Sequence, residues 1–398
     1  MVLNRDLFLM IVGGLCALIG AVIAGILRSW ITSVLQNRRD AVEARKQSID
    51  AVWEWAANGR QERFRQLNLA GVDFNGVDLG SVVNGKNGAD LGLGNFKQAS
   101  FESADLVSVD LAMAILVKTN FSRANLMGAN LAQANLEDAN LYRANLSRAD
   151  LSGAILFNAN LVEANLNEAV LTDAHLNKSA LVGTSLTKAD LTGTDLTAAN
   201  FAGADLAGAT MVRATLSGAI LTSARLVEAV VMRAELAGAQ LVNSDLSGAS
   251  LVKAHMVRAD LTGATLIGAD LTKVDLTEAD ITGAKAARVH FAGATLVRTD
   301  LTGSDLTEAD LVDADLAGAT LVRVNLGGAN LSRADLVSAD LSGANLTGTI
   351  LTEVMYNERT QWPAGFRLPP EMVRVDGART ALLEKPGKPF LSDGMKAA

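Results

Sequence analysis

Proline is missing from the first 362 residues of this 398-residue chain; all five prolines lie at or after Pro363. A residue that locks φ and removes a backbone donor therefore interrupts nothing before the end of the chain. Cysteine is nearly absent as well. The single Cys16 excludes an intramolecular disulfide and a cysteine-based metal site. Aromatic residues make up 4% of the chain, so any core must be aliphatic and built from small units. Histidine occurs only at His175, His255 and His290, which leaves few candidates for acid–base or metal chemistry.

What the chain does have is a beat of five. From Leu91 to Leu351 every fifth residue is Leu or another sizeable apolar residue, except Ala286, giving 53 such positions. Two residues before each stands a small side chain, Ala at 40 of the 53 and otherwise Gly, Ser, Thr or Val. Asp or Asn commonly lies between the two. Neither a helix of 3.6 residues per turn nor a strand of period two keeps one face buried with a five-residue repeat. The chain must turn a corner at every unit, and four units close a square coil of 20 residues. Stacked coils pair as parallel strands about 4.8 Å apart, so about 13 coils make a rod on the order of 60 Å long. The Leu and the small residue point inward, and the other three point out.

These residues resemble the pentapeptide-repeat family, and the resemblance runs without a break from residue 89 to Leu351. It implies an all-β solenoid, a right-handed quadrilateral β-helix, over residues 89–355. Leu69, Phe74 and Leu79, with Leu67, Val72 and Val77 two before each, read as an earlier stretch of the same kind. From Leu79 to Leu91 the spacing is 12, two more than two units, so residues 67–88 are read as first repeats and a register-slip loop. Residues 356–398 are read as a closing segment and a loose tail. Tyr356, Trp362 and Phe366 are similar to a cap often found after such arrays, with Trp362 and Phe366 over the last coil and Pro363 and Gly365 making the turn.

Ahead of the array, residues 7–27, bounded by Leu7 and Leu27, carry no charge. As a helix they would span roughly 31 Å, close to the hydrocarbon thickness of a bilayer. Residues 1–28 are therefore expected to be a retained transmembrane α-helix, and 29–66 a short helical connector and cap. Arg28, Arg38, Arg39, Arg45 and Lys46 follow the run, which places the array on the cytoplasmic side of the cell membrane by the positive-inside rule. Gly13, Ala17, Ala21 and Gly25 make a small-residue stripe suited to pairing, so a homodimer through this helix is a further expectation.

Charge is unevenly spread. Residues 89–351 carry 18 basic and 29 acidic groups, while the segments on either side are mildly basic. An acidic rod argues against wrapping nucleic acid, which needs clustered Lys and Arg. His175 and His255 share an outward column but lie four coils, roughly 19 Å, apart, too far to share a metal. Because Asp and Ser belong to the repeat itself, their meetings with His carry little weight. The expectation is no enzyme, no cofactor and no metal.

Two departures invite a function. Asp260, Asp280 and Asp300 stack into an acidic column, with Lys253, Arg258, Lys273 and Arg298 near enough in the succession of coils to offset it. Ala286 breaks the Leu column, which predicts a dent or small cavity, partly filled by Val274 and Val289 and ringed by exposed Lys285, Arg288 and His290. The function read from all this is a membrane-anchored, non-enzymatic scaffold that binds a protein partner. One alternative is a DNA-mimicking inhibitor or protector of a type II topoisomerase, a role the family resemblance implies for some members. Another is the same rod displayed on the extracytoplasmic side.

Overall fold

In a computed structural model of the chain the described residues are Phe74 and residues 91–375, all within Arg63–Ala398, the second of two units into which the chain divides. The expected anchor bounded by Leu7 and Leu27, the connector 29–66, the repeats and loop 67–88 apart from Phe74, and the tail 376–398 lie outside them. Among the described residues no helix is long and apolar enough to cross a membrane.

Each five-residue unit closes on itself with a tight turn. The N–H three residues after a Leu donates to that Leu's carbonyl, as Ala139 does to Leu136 at 3.0 Å and Ala144 to Leu141 at 3.0 Å. The third residue of every such turn has positive φ, the requirement of a type II turn. It is Gly in 18 of the 53 turns and another residue in 35, with φ between 55 and 61°. A non-glycine residue there costs on the order of 1 kcal/mol. None of the 35 is β-branched or aromatic, the side chains for which that backbone is worst.

Coils are stitched together by three backbone bonds per unit. Leu136 donates to the Ile155 carbonyl at 2.7 Å, Asp138 to Phe157 at 3.0 Å, and Asn140 back to Thr119 at 2.9 Å. Parallel bridges join residues 20 apart without a break from Asn95↔Ile115 to Asp335↔Met355. The 20-residue square coil expected from the repeat is therefore present throughout.

The interior holds the apolar residue and the small one. Leu141, Ala144, Leu246 and Ala249 have no exposed surface. Fully burying one Leu contributes about 1.5–3 kcal/mol, which outweighs the cost of the left-handed turn residue beside it. Where the small residue carries a hydroxyl, the backbone satisfies it. Thr119, Thr184, Thr194 and Thr299 each donate at 2.8 Å to a carbonyl of the preceding coil. Gly94 stands where Ala is usual because an added Cβ would collide with the Phe96 ring.

Both ends of the described array depart from the rule. Phe74 donates its N–H to Ser100 at 2.7 Å and stacks on Phe101, which stacks in turn on Phe121. The sequence offset of that bond is 26 residues, where the same bond elsewhere spans 19, as from Leu91 to Asp110. At the other end the last bridge, Asp340↔Gln361, spans 21 residues. Two short parallel strands close the described segment, β1 (Met355–Tyr356) and β2 (Val373–Arg374).

The closing segment also buries groups that the sequence reading did not name. Tyr356, Trp362 and Phe366 do form an aromatic cluster, with ring centroids 5.9 Å apart for Tyr356–Trp362 and 5.3 Å for Trp362–Phe366. Phe366 donates to the Pro363 carbonyl across a turn with Gly365 at φ 77°. Yet all three rings stay half-buried, whereas Asn357 and Thr360 are buried. These two take the inward positions because the step from Leu351 to Asn357 is six residues, not five. Asn357 accepts the Ser338 N–H at 3.1 Å and Thr360 donates to the Leu336 carbonyl at 2.9 Å.

Candidate interaction surface

With the interior filled by aliphatic groups, recognition falls to the outward columns, whose rungs are about 4.8 Å apart. Two kinds of column and one break in the repeat stand out. The first is set by the Asx residue preceding each Leu. Its Oδ1 accepts the N–H two residues on, as Asn140 does from Tyr142 at 3.2 Å and Asp260 from Thr262 at 3.0 Å. This bond mimics a backbone turn and explains why Asp and Asn recur in the repeat. A following Thr or Ser often adds its hydroxyl to the same oxygen, as Thr262 and Ser247 do at 2.6 Å.

Where Asn fills successive rungs, the amides also link to one another. Asn160 donates to Asn140 and Asn140 to Asn120, each at 3.0 Å. A parallel ladder runs through Asn165, Asn145 and Asn125. Farther along the first of these columns the rungs become Asp260, Asp280 and Asp300, joined as consecutive parallel bridges. Each carboxylate accepts its own turn N–H, from Thr262, Thr282 and Thr302. Asn performs the same turn duty, so the turn explains the oxygen and leaves the negative charge unexplained.

The second kind of column lies at the left-handed turn residue, which projects a long side chain from each corner. Opposite charges alternate there. Arg143 pairs with Glu163 at 2.6 Å, Arg148 with Glu168 at 2.9 Å and Arg333 with Asp313 at 2.6 Å. Glu278 lies between Arg258 at 2.8 Å and Arg298 at 3.5 Å. The hydrogen bond and charge of Arg258 hold Glu278 below the usual carboxylate range, and Arg333 does the same to Asp313. Such exposed pairs are worth little each, about 0–1 kcal/mol.

This corrects the expected compensation of the acidic column. Arg258 and Arg298 are committed to Glu278, and none of the ion pairs among the described residues reaches Asp260, Asp280 or Asp300. Lys253 and Lys273 stand on a different corner. There they follow Arg213 and Arg233 in a row of four basic residues on successive coils. Periodicity made these positions legible in the sequence, since 213, 233, 253 and 273 differ by 20, but an inventory of net charge hides them.

The third feature is Ala286. Lys285, Arg288 and His290 are exposed around it, and Ala286, Val274 and Val289 are buried. The ladder between coils nevertheless stays regular at this position. Leu266 donates to Lys285 at 2.7 Å, Ala286 to Asp305 at 2.8 Å and Arg288 to Thr307 at 2.8 Å, as in any other coil. The physical reason is that three ladder bonds per unit hold the backbone while side chains adjust. Phe291 and Val289, in the same coil, are each larger than the Leu and Ala usual at their positions.

Fold and surface together define an all-β solenoid that offers repeated columns rather than a single constellation. A model of pentapeptide repeats matches in eight copies spanning residues 87–123, 124–162, 159–201, 199–238, 239–277, 254–287, 279–321 and 314–352. The chain belongs to the pentapeptide repeat family, whose members form right-handed quadrilateral β-helices and are generally structural or interaction proteins rather than enzymes. A comparison with curated proteins gave no significant match. Among solved structures the chain is similar to HetL, a pentapeptide repeat protein involved in heterocyst differentiation regulation from the cyanobacterium Nostoc sp. strain PCC 7120. The two are 32% identical over 56% of this chain and 91% of HetL, with a TM-score of 0.33. QnrB1, a plasmid-mediated fluoroquinolone resistance protein, is 17% identical over 44% of this chain and 88% of its own, with a TM-score of 0.34. AT2G44920 from the Arabidopsis thaliana thylakoid lumen is 40% identical over 24% and 63%, with a TM-score of 0.17.

Proposed function

We propose that this protein is a non-enzymatic interaction rod, tethered to the cell membrane by residues 7–27 with the array on the cytoplasmic side. The observation that supports the rod is the constancy of the coil. The 20-residue register runs unbroken from Asn95 to Met355, so outward side chains keep fixed positions over the length of the solenoid. A surface of that kind suits an extended partner protein that reads several rungs at once. The tether rests on the uncharged run and on the basic residues that follow it.

Membrane fractionation of the full-length chain tests the tether. The expected result is a chain that resists carbonate extraction and is released when residues 7–27 are deleted; recovery in the soluble fraction would sink it. Protease added to intact cells should leave the array uncut, and cleavage would assign it to the extracytoplasmic side instead. Partner binding should weaken when one outward column is substituted while circular dichroism is unchanged. A supercoiling assay with the full chain addresses the topoisomerase reading, and inhibition at micromolar concentration would replace the scaffold with it.

A further inference from the structure

From the row of basic residues on one corner we propose that the rods associate side by side, the row on one copy docking on the acidic column of another. The inference extends beyond the membrane-anchored reading and does not need the tether. Arg213, Arg233, Lys253 and Lys273 occupy the left-handed turn position of four consecutive coils. Their backbones are stitched by bonds from Arg213 to Met232, Arg233 to Val252, Lys253 to Thr272 and Lys273 to Ala292, each 3.0 Å. Their φ angles lie between 57 and 59°, so the four side chains leave the corner in the same direction, and all are exposed.

None of the four has an ion-pair partner among the described residues, although Glu235 and Asp275 stand two residues beyond Arg233 and Lys273 on the next face. Elsewhere at the corners opposite charges pair along the stack, as Arg143 does with Glu163 and as Asp313 does with Arg333 farther along this same corner. Over the four coils from Arg213 to Lys273 a single sign repeats, on an array that is acidic as a whole. Asp260, Asp280 and Asp300 are its counterpart, three carboxylates on successive rungs that no ion pair among the described residues reaches. Neither row has an ion-pair partner among the described residues, and each compensates the other between two chains.

Spacing favours a second copy over other anions. Both rows repeat at the rung distance, about 4.8 Å. An extended acidic peptide presents same-side carboxylates about 6.8 Å apart, and a DNA strand places phosphates about 3.4 Å apart along its axis. A second stack of coils offers charge in the same step, which lets three pairs form together. The two patches differ, so the contact is heterologous and growth does not stop at a dimer unless a ring closes.

The test is sedimentation of the full-length chain across protein and salt concentration. Wild type should associate beyond a dimer at low salt and dissociate as salt screens the pairs. Arg233→Glu with Lys253→Glu and Lys273→Glu should weaken association about tenfold or more, as should Asp260→Lys with Asp280→Lys and Asp300→Lys. Mixing the two charge-reversed proteins should restore it between unlike chains, a result that misfolding of either variant could not produce. The proposal is overturned if wild type is monomeric, if either variant associates as strongly as wild type, or if the mixture fails to associate while both variants keep the wild-type circular dichroism. Binding of the row to vesicles containing phosphatidylglycerol, without self-association, would also overturn it and assign the row to a lipid surface.

Discussion

One outward column of this rod carries Asn120, Asn140 and Asn160 near one end and Asp260, Asp280 and Asp300 farther along. Both stretches make the same turn bond from Oδ1 and stand on the same Leu and Ala interior. They differ only in what the second side-chain atom does. The amide nitrogen reaches the next rung at 3.0 Å, whereas the second carboxylate oxygen can only repel its neighbours. Local turn chemistry thus accounts for an Asx residue at this position but not for the choice between its two forms. The choice belongs to the surface, and it divides a self-satisfied stretch from one open to a partner.

The strongest challenge to that comparison is to the shared interior. Leu141→Ala and Ile281→Ala, one beside each stretch, should each cost about 2–5 kcal/mol. Amide hydrogen exchange in the adjoining coils should report comparable losses. A much smaller cost at Ile281 would mean that the acidic stretch rests on a weaker core and that the outer difference is secondary. Next in size is removal of the rung itself. Asn140→Ala loses the turn bond and two ladder bonds and should cost about 1–2 kcal/mol in urea unfolding, while Asp280→Ala should cost about 1 kcal/mol or less.

Exchange of the two residues sharpens the contrast further. Asp280→Asn keeps the turn bond and removes a like charge, so unfolding should be unchanged or stabilised by a few tenths of a kcal/mol. Asn140→Asp should destabilise by about 0.5–1 kcal/mol at neutral pH, because its oxygen then faces that of Asn120. The smallest effect concerns the compensated corner. The folded-state pKa of Glu278 is lowered, so its contribution is present above the ordinary Glu value of 4.5 and is lost as pH falls through the folded value. The stability difference between wild type and Glu278→Gln should shrink over that acidic window and stay flat above it.

Most of the fold was legible because the beat of five permits one backbone solution, and Leu141, Ala144 and their equivalents occupy the interior as spacing requires. The turn residue was legible too, for anyone who noticed that no β-branched side chain stands at 93, 98 or their successors. Other features required coordinates. Asn357 and Thr360 fill inward positions through a one-residue step that polar identity disguises. The pairing of Arg258 with Glu278, rather than with Asp260, depends on which corner each side chain leaves. The regular ladder at Ala286 reflects hydrogen bonds between coils, to which the Leu column alone is blind. The anchor expected at residues 7–27 lies outside what the structure describes.

The left-handed residue at each corner has a consequence for how such a rod changes over generations. That position contributes only backbone to the ladder and points its side chain to water, so any unbranched residue serves there at nearly the same cost. Lys can become Glu, or Arg become Gln, with the fold indifferent to the exchange. A rod of this kind can acquire or lose a partner by rewriting one corner while its interior stays unaltered, and Arg213, Arg233, Lys253 and Lys273 occupy the positions where such rewriting is easiest.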